Sequence, residues 1–332
     1  MRSLITGVGG FAGQHLAARL LQGGEDVCGI ARRPVRWHVT GVAGDRRFSV
    51  LSADLTSRDA VRRSVQEAVP ARIYHLAAMS SVEESFRDPL DTLNNNIATT
   101  VNLLEAVRAD RPSARVLVVS SAEIYGRAGD GRPIVESNEL RPESPYAVSK
   151  AAVDLLGYQY AAAFGLEVIR VRPFNHLGPG QTDRFVAAAF ARQIAEIEAG
   201  LRAPVVLVGN LDARRDFTDV RDIVRAYEIA CLTGEAGAAY NIGRGTAVPI
   251  RSLLDQLIAL SRVPVELRVD PDRLRPSDAP LLVCDPRRFR ELSGWEPEIP
   301  LSVSLSDMLN DWRERVAAER SPRAGASPGE HP

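Results

Sequence analysis

Apolar runs of strand length alternate with amphipathic stretches of helix length along the first half of this chain. The runs that read as buried strands are 2–6, 27–30, 48–51, 73–77, 116–120 and 167–171, and the helical stretches are 11–22, 57–68, 89–109 and 145–164. Repeated strand–helix–strand units require a parallel sheet, because each crossover helix returns the chain to the same end of the sheet. The sequence therefore predicts an α/β fold in which helices cover both faces of a doubly wound parallel sheet.

The composition of the chain and the length of its predicted elements change after Arg172. Residues 173–183 are rich in Gly, Pro and Asn and predict a loop, a helix follows over 185–199, and shorter elements continue to about 316. Because 332 residues exceed what one small core needs, we expect two lobes. We assign 1–172, with about 212–238, to the larger domain, and 173–211 with 239–316 to a smaller C-terminal α/β domain. The segment 317–332, rich in Ser, Pro, Gly and Ala, is expected to be a disordered tail.

Composition excludes several classes of protein. The 41 basic and 42 acidic residues give a net charge of -1, which argues against a nucleic-acid binder or a membrane-surface protein. The cysteines Cys28, Cys231 and Cys284 lie far apart without a Cys/His cluster, so we expect neither a disulfide framework nor a metal site. The chain enters its first strand directly after Met1, and no apolar run has bilayer length, so we expect a cytoplasmic enzyme or binding protein.

A glycine-rich segment joins the first predicted strand to the first predicted helix. Gly7, Gly10 and Gly13 are spaced by three, and Phe11 lies between them. Glycines at this turn let backbone N–H groups approach a pyrophosphate at the helix N-terminus, as in Rossmann dinucleotide sites. A structural turn without a ligand is the alternative interpretation. The strand–turn–helix context favours the cofactor site, which places a dinucleotide on the larger domain.

The end of the second strand indicates which dinucleotide is bound. Sites for NAD carry an acid there, whereas this chain has Ala31 followed by Arg32 and Arg33. Guanidinium groups bind phosphate well, so we expect NADP(H) to be preferred, with NAD(H) possible. The alternative is a pair of solvated surface arginines. Asp54 and Leu55 follow the third strand, where a carboxylate can meet the adenine amino group.

Tyr146 and Lys150 are four residues apart on a predicted helix, which puts both side chains on one face. Lys150 is the single lysine among the 41 basic residues. An ammonium near a phenol stabilises tyrosinate, so the pair predicts proton exchange with a carbonyl or alcohol. Ser121, at the end of the fifth strand, is a candidate to hydrogen-bond the same reacting oxygen. Glu123 is either a catalytic acid or base or an oriented structural carboxylate.

These residues resemble those of the extended short-chain dehydrogenase/reductases, which act on nucleotide-diphosphate sugars. The resemblance rests on the glycine motif, on Ser121 with the Tyr-x-x-x-Lys pattern and on the length, and it covers about residues 1–316. It implies a homodimer formed through the helices at 89–109 and 145–164. Asn96 matches a family helix residue, and the segment 215–222 resembles a return segment that carries a phosphate-contacting arginine. The family's fourth-strand motif, whose backbone runs along the cofactor, is matched by His75, Leu76, Ala77 and Ala78.

Finer features are similar to a reductase subgroup of that family. The segments 173–181, 208–211 and 274–278 resemble enzymes that reduce the C4 ketone of GDP-4-dehydro-6-deoxy-D-mannose to GDP-D-rhamnose. The resemblance implies a GDP-linked sugar as the partner, held in the smaller domain. Guanidinium forks bind a pyrophosphate through paired hydrogen bonds, and an amide can add another. The candidate substrate-binding residues are Asn175, Asn210, Arg215 and Arg275.

Two other functions remain open at this point. GDP-mannose 4,6-dehydratases and nucleotide-sugar 4-epimerases use the same scaffold and regenerate their cofactor in every turnover. The dehydratases usually carry Thr-Ser-Glu before Tyr-Gly, where this chain has Ser121, Ala122 and Glu123. A non-catalytic dinucleotide-binding regulator is the third hypothesis, and the presence of Ser121, Tyr146 and Lys150 together argues against it.

Overall fold

The computed structural model describes residues 1–127, 131–273 and 281–320. The strands are β1 (Arg2–Thr6), β2 (Asp26–Ala31), β3 (Phe48–Ser52), β4 (Arg72–His75), β5 (Arg115–Val119), β6 (Val168–Pro173), β7 (Asn175–Leu177), β8 (Val205–Val208), β9 (Arg214–Asp219), β10 (Ala239–Ile242), β11 (Ala247–Pro249), β12 (Glu266–Val269) and β13 (Leu281–Leu282). The helices are α1 (Phe11–Gln22), α2 (Arg58–Ala68), α3 (Val82–Arg87), α4 (Pro89–Asp110), α5 (Pro145–Phe164), α6 (Val186–Glu198), α7 (Val220–Thr233), α8 (Ile250–Ala259), α9 (Arg287–Ser293) and α10 (Leu301–Arg320).

A seven-stranded parallel sheet forms the larger part of the molecule. Its strand order is β10, β6, β5, β4, β1, β2, β3. The order reverses beside β1, which pairs with β2 on one side and with β4 on the other. In doubly wound sheets ligands bind beyond the carboxyl ends of the strands at such a reversal. The predicted α/β fold is confirmed, and the topology locates the site.

Helices cover both faces of this sheet. On one face α1 and α7 pack against the strands, and the predicted apolar stripe of α1 is buried, with Leu16, Leu20 and Leu21 at most 2% exposed. On the other face α2, α4 and α5 bury a second set of side chains, including Val65 and Leu104. Burying one such side chain contributes about 1.5–3 kcal/mol, so the two layers fix the sheet between them.

A smaller unit is built around β9. It pairs with β11, β13 and β7, while β8 and β12 form a separate parallel pair. The helices α6, α8 and α10 enclose the core of this unit, in which Phe190, Leu257 and Trp312 are buried. No helix of the described chain combines the length and the apolar character that crossing a bilayer requires.

The predicted boundaries need correction in three places. The segment 212–238 is divided, because β9 pairs within the smaller unit whereas α7 packs on the large sheet. The strand β10, placed in the smaller domain by the division at 239, is an edge strand of the large sheet. The tail predicted from 317 begins too early, because α10 continues to Arg320, with Val316 buried in the smaller core. Residues 321–332 lie outside the described chain.

Candidate active site

A cavity of about 1830 Å³ opens at the carboxyl ends of β1 and β4 and extends to the smaller unit. Sites for one small ligand usually measure about 300–1,000 Å³, so this cavity has room for two. It is lined by the glycine turn, by the ends of β2, β3, β4 and β5, and by residues of β7, α6 and β9. Cofactor and substrate candidates from distant parts of the sequence therefore face one space.

The glycine turn forms one end of the cavity. A Cβ atom on Gly7, whose φ is +72°, would lie 2.8 Å from the backbone nitrogen of Ala77, and one on Gly13 would lie 2.3 Å from the oxygen of Gly7. Gly10 caps α1 without a side chain, and the first turn of the helix holds no acid. The free N–H groups and the helix dipole at this end suit a phosphate anion. The backbone thus fits the pyrophosphate of a dinucleotide, with Phe11 beside it in the cavity wall.

The residues that follow β2 and β3 continue this wall. Arg32 and Arg33 are exposed and line the cavity, and Ala31 stands where NAD sites carry an acid. Asp54 and Leu55 also line it. The Asp54 carboxylate accepts hydrogen bonds from the nitrogen and hydroxyl of Thr56, and these bonds, followed by the charge of Arg32, lower its pKa. The site therefore has two guanidinium groups beside a fixed carboxylate.

The backbone leaves β4 at His75, earlier than predicted, and the next residues turn along the cavity. His75 is buried, with Nδ1 lying 2.8 Å from the hydroxyl of Thr6 and Nε2 lying 3.0 Å from that of Thr100. Burial lowers the His75 pKa to about 3, so the ring is neutral and has a structural role. It fixes the strand end from which three predicted cofactor residues line the cavity, namely Leu76, Ala77 and Ala78.

Asn96 connects this turn to the helix that carries the tyrosine. Its amide nitrogen donates to the oxygen of Met79 at 3.1 Å and to the hydroxyl of Ser149 at 2.9 Å, while its amide oxygen accepts from the nitrogen of Met79 at 2.8 Å. Ser149 precedes Lys150 on α5. Asn96 therefore holds the wall of the cofactor cavity in register with the catalytic candidates.

Ser121 and Tyr146 both line the cavity, and their side chains are hydrogen-bonded to each other. Ser121 begins the 3-10 turn Ala122–Tyr125, and its hydroxyl accepts from the nitrogen of Glu123 at 3.2 Å. Burial raises the pKa of Tyr146 to about 12, although its hydrogen bond with Ser121 acts in the opposite direction, and the charge of Glu123 raises the pKa further. The phenol is therefore protonated at neutral pH. A buried phenol with a hydroxyl partner can donate a proton to a bound carbonyl oxygen.

Lys150 lies one helical turn after Tyr146, and both residues line the cavity. Its ammonium donates to the oxygen of Val119, the last residue of β5, at 2.5 Å. Burial lowers the pKa of Lys150 to about 8, against the attraction of Asp154. The Tyr146–Lys150 pair predicts a lowered tyrosine pKa, but burial raises it, because desolvation of the phenol dominates.

The smaller unit supplies the opposite wall. Asn175 on β7, Asn210 after β8 and Arg215 on β9 all line the cavity. Arg215 donates to the oxygen of Arg214 at 2.9 Å. The next residue, Asp216, is buried and accepts from the nitrogens of residues 244, 245 and 284, so it ties β9 to its neighbours. The predicted substrate residue Arg275 lies outside the described residues.

Contacts between the two units bring together residues that are distant in sequence. The His176 ring lies parallel to that of Phe11 at 5.9 Å, which brings β7 against the start of α1. Arg184, which lines the cavity, forms an ion pair of 2.6 Å with Glu84 of α3. No local pattern marks Arg184 or Glu84, because their partners are distant in sequence.

Comparison with known proteins agrees with this arrangement. The profile of GDP-mannose 4,6 dehydratase matches residues 4–308. GDP-6-deoxy-D-mannose reductase of Pseudomonas aeruginosa is 38% identical, covering 96% of this chain and 99% of that protein. GDP-mannose 4,6-dehydratase of Yersinia enterocolitica is 29% identical, covering 93% of this chain and 92% of that protein.

Solved structures give the same result. The structure of RMD from Pseudomonas aeruginosa complexed with NADPH has a TM-score of 0.81 at 37% identity, with 95% of this chain and 99% of that chain covered. The UDP-glucose 4-epimerase of Thermus thermophilus in complex with NAD has a TM-score of 0.83 at 28% identity, with 94% of this chain and 99% of that chain covered. The resemblance to nucleotide-sugar dehydrogenase/reductases is thereby confirmed. The chain belongs to the GDP-mannose 4,6-dehydratase family of nicotinamide-dependent nucleotide-sugar enzymes.

Proposed function

We propose that this enzyme uses NADPH to reduce the C4 ketone of GDP-4-dehydro-6-deoxy-D-mannose, forming GDP-D-rhamnose. The observation that carries the proposal is the protonated phenol of Tyr146, paired with Ser121 in the same cavity as the glycine turn. A reductase needs a proton donor at the carbonyl oxygen, and a phenol with a pKa of about 12 holds its proton until the oxygen becomes basic. The likeness to the GDP-6-deoxy-D-mannose reductase supports the choice of substrate.

Different residues of this chain bind the cofactor, donate the proton and orient the substrate. The nicotinamide cofactor, when bound, supplies the hydride for C4. The backbone from Gly7 to Gly13 holds the pyrophosphate, and Arg32 with Arg33 holds a 2′-phosphate. Tyr146 donates its proton to the C4 oxygen, and the hydroxyl of Ser121 orients that oxygen by a hydrogen bond. Holding the reacting groups in place in this way removes much of the entropy from the barrier.

Lys150 has a supporting part in this scheme. Its ammonium lies at the end of β5. There it would donate hydrogen bonds to the ribose hydroxyls of the cofactor and place a positive charge near Tyr146. On the opposite wall, Arg215, Asn175 and Asn210 take the pyrophosphate of the sugar nucleotide. An arginine fork suits this group because it forms two parallel hydrogen bonds with phosphate oxygens.

GDP-mannose 4,6-dehydration is the second candidate reaction. Glu123 lines the cavity, and its charge acts on Tyr146, so a carboxylate is present near the reacting centre. The family profile and the Yersinia enterocolitica relative favour this alternative. The sequence Ser121-Ala122-Glu123 differs from the usual dehydratase pattern, which favours the reductase.

A cofactor balance distinguishes the two reactions. The purified enzyme is given GDP-4-dehydro-6-deoxy-D-mannose with NADPH, or GDP-mannose with NADP⁺, and the sugar products are identified by NMR. The reductase oxidises one NADPH for each ketone consumed. Conversion of GDP-mannose without net change in the cofactor would instead identify a dehydratase. Cofactor binding without turnover of either substrate would favour the regulator.

A homodimer is proposed on the exposed apolar faces of α4 and α5. Leu90 at the start of α4 is 69% exposed, and Leu155 and Tyr158 on α5 are 54% and 53% exposed, so both neighbouring helices carry large apolar side chains that a partner could cover. A second copy of this chain would cover these faces by pairing the same helices around a twofold axis. Sedimentation of wild type and Leu155→Glu tests the proposal. A dimer that the substitution dissociates supports it, and a monomeric wild type contradicts it.

A further inference from the structure

Gln14 lies on the second turn of α1, and its side chain is buried, with 3% exposed. The amide nitrogen donates to the oxygens of Gly9 and Arg36, both at 3.1 Å. The amide oxygen accepts from the nitrogens of His38 at 2.7 Å and Val39 at 3.2 Å. One side chain therefore joins the glycine turn to the segment that follows β2.

That segment, residues 32–39, has little other polar support. Among the described residues, no backbone group of 32–38 forms a hydrogen bond with another backbone group, and a turn at Thr40 and Gly41 follows. Trp37 packs against Phe48 with ring centroids 5.2 Å apart, which anchors the far part of the segment by apolar contact. Backbone N–H and C=O groups near a core need partners, and Gln14 provides them here. The amide thus sets the path of the chain between β2 and the apolar anchor.

The segment also lies close against the glycine turn. A Cβ atom on Gly9 would lie 2.8 Å from a methyl group of Val35, so the Val35 side chain packs directly on the backbone of the glycine turn. The arginines of the segment, Arg32, Arg33 and Arg36, all line the cavity. Their side chains are flexible, and their positions relative to a bound phosphate depend on where the backbone is held.

We propose that Gln14 is a positioning residue for cofactor specificity. It holds the segment 32–39 so that the guanidinium groups face the 2′-phosphate of NADPH. The inference rests on the proposed preference for NADPH and adds the residue that enforces it. Because NADH has no 2′-phosphate, the loss of Gln14 should affect the two cofactors unequally.

The test compares dissociation constants measured by titration calorimetry, which needs no turnover. We expect Gln14→Leu to weaken NADPH binding about tenfold or more, which is the value of one charge-assisted hydrogen bond, and to leave NADH binding within about threefold. Gln193→Leu is the matched control. Gln193 is also buried and also bridges helix to backbone, since it donates to the oxygen of Leu207 and accepts from its nitrogen. It lies outside the cavity lining, so its loss should leave the ratio of the two constants unchanged.

Gln14→Glu provides a second variant in case the leucine variant does not fold. The carboxylate keeps the acceptor for His38 and Val39 but loses the donor to Arg36, so an intermediate loss of NADPH binding is expected. Equal weakening of NADPH and NADH in both variants would overturn the proposal, because Gln14 would then support only the glycine turn. So would unchanged binding of both cofactors.

The double variant Arg32→Ala/Arg33→Ala separates this proposal from the one on which it rests. If the double variant loses NADPH affinity and the Gln14 variants do not, the role of Gln14 is refuted while the cofactor preference stands. If wild type binds both cofactors equally and the double variant changes neither constant, the preference for NADPH and the role of Gln14 both fail.

Discussion

Replacing Lys150 with methionine should increase the free energy of unfolding, because it removes a buried charge that destabilises the folded protein. The side chain is 5% exposed, and burial lowers its pKa from 10.5 to about 8. A tenfold change in proton affinity corresponds to about 1.4 kcal/mol, so keeping Lys150 protonated at pH 7 costs the folded state about 3 kcal/mol. The variant also loses the charge-assisted hydrogen bond to Val119, worth about 2 kcal/mol. We therefore expect Lys150→Met to be about 1 kcal/mol more stable than wild type at pH 7.

The pH dependence of this gain follows from the direction of the shift. The folded pKa lies below the unfolded pKa, so between about 8 and 10.5 the unfolded wild type binds more protons than the folded protein. Wild-type stability therefore rises with pH across that window, relative to a variant without the amine. The cost is present in full below pH 8 and is lost toward pH 10.5.

Urea denaturation of wild type and Lys150→Met at pH 7 and pH 10.5 measures both quantities. The variant should lose its advantage at the higher pH, and its cofactor binding should be weak at either pH. Because other groups titrate equally in both proteins, the difference between them isolates Lys150. A stability difference that stays constant from pH 7 to 10.5 would show that Lys150 is not held in a desolvated site.

Three further substitutions test the catalytic and binding assignments. Tyr146→Phe should lower turnover by about 10²–10⁴ while NADPH affinity, measured by calorimetry, stays unchanged, and near-normal turnover would reject the phenol as proton donor. Lys150→Arg keeps the charge but misplaces it in a buried site, so we expect a loss of about 10² in rate, measured across pH, and identical wild-type and variant profiles would show the lysine to be replaceable. Gly13→Ala should abolish cofactor binding and lower the unfolding temperature, because its Cβ would lie 2.3 Å from the oxygen of Gly7; a fully stable variant that binds NADPH normally would contradict the tight turn.

Much of the larger domain could be predicted because its signals are local. The helices at 11–22 and 145–164 have the predicted bounds, since apolar periodicity, proline at a helix start and glycine at a helix end act within a few residues. The spacing of the glycines and of Tyr146 and Lys150 likewise follows from backbone geometry. These features predict a dinucleotide turn and a pair of side chains on one helical face.

The division between the two units could not be predicted in the same way. β9 and α7 are adjacent in sequence, yet one pairs in the smaller sheet and the other packs on the larger one. β10 joins the large sheet although shorter elements surround it in sequence. Pairing depends on which edge is free once the other strands have assembled, and local propensity carries no information about this.

The sequence by itself determined which chemical groups are available: a glycine turn, an arginine pair, a phenol and one lysine. Tertiary structure decided their protonation and their partners. Burial raises the pKa of Tyr146 and lowers that of Lys150, and the lysine binds the oxygen of Val119. Gln14, which has no motif of its own, ties down the arginine segment. Desolvation and long-range hydrogen bonds depend on what packs around a residue, and only the folded chain brings those neighbours together.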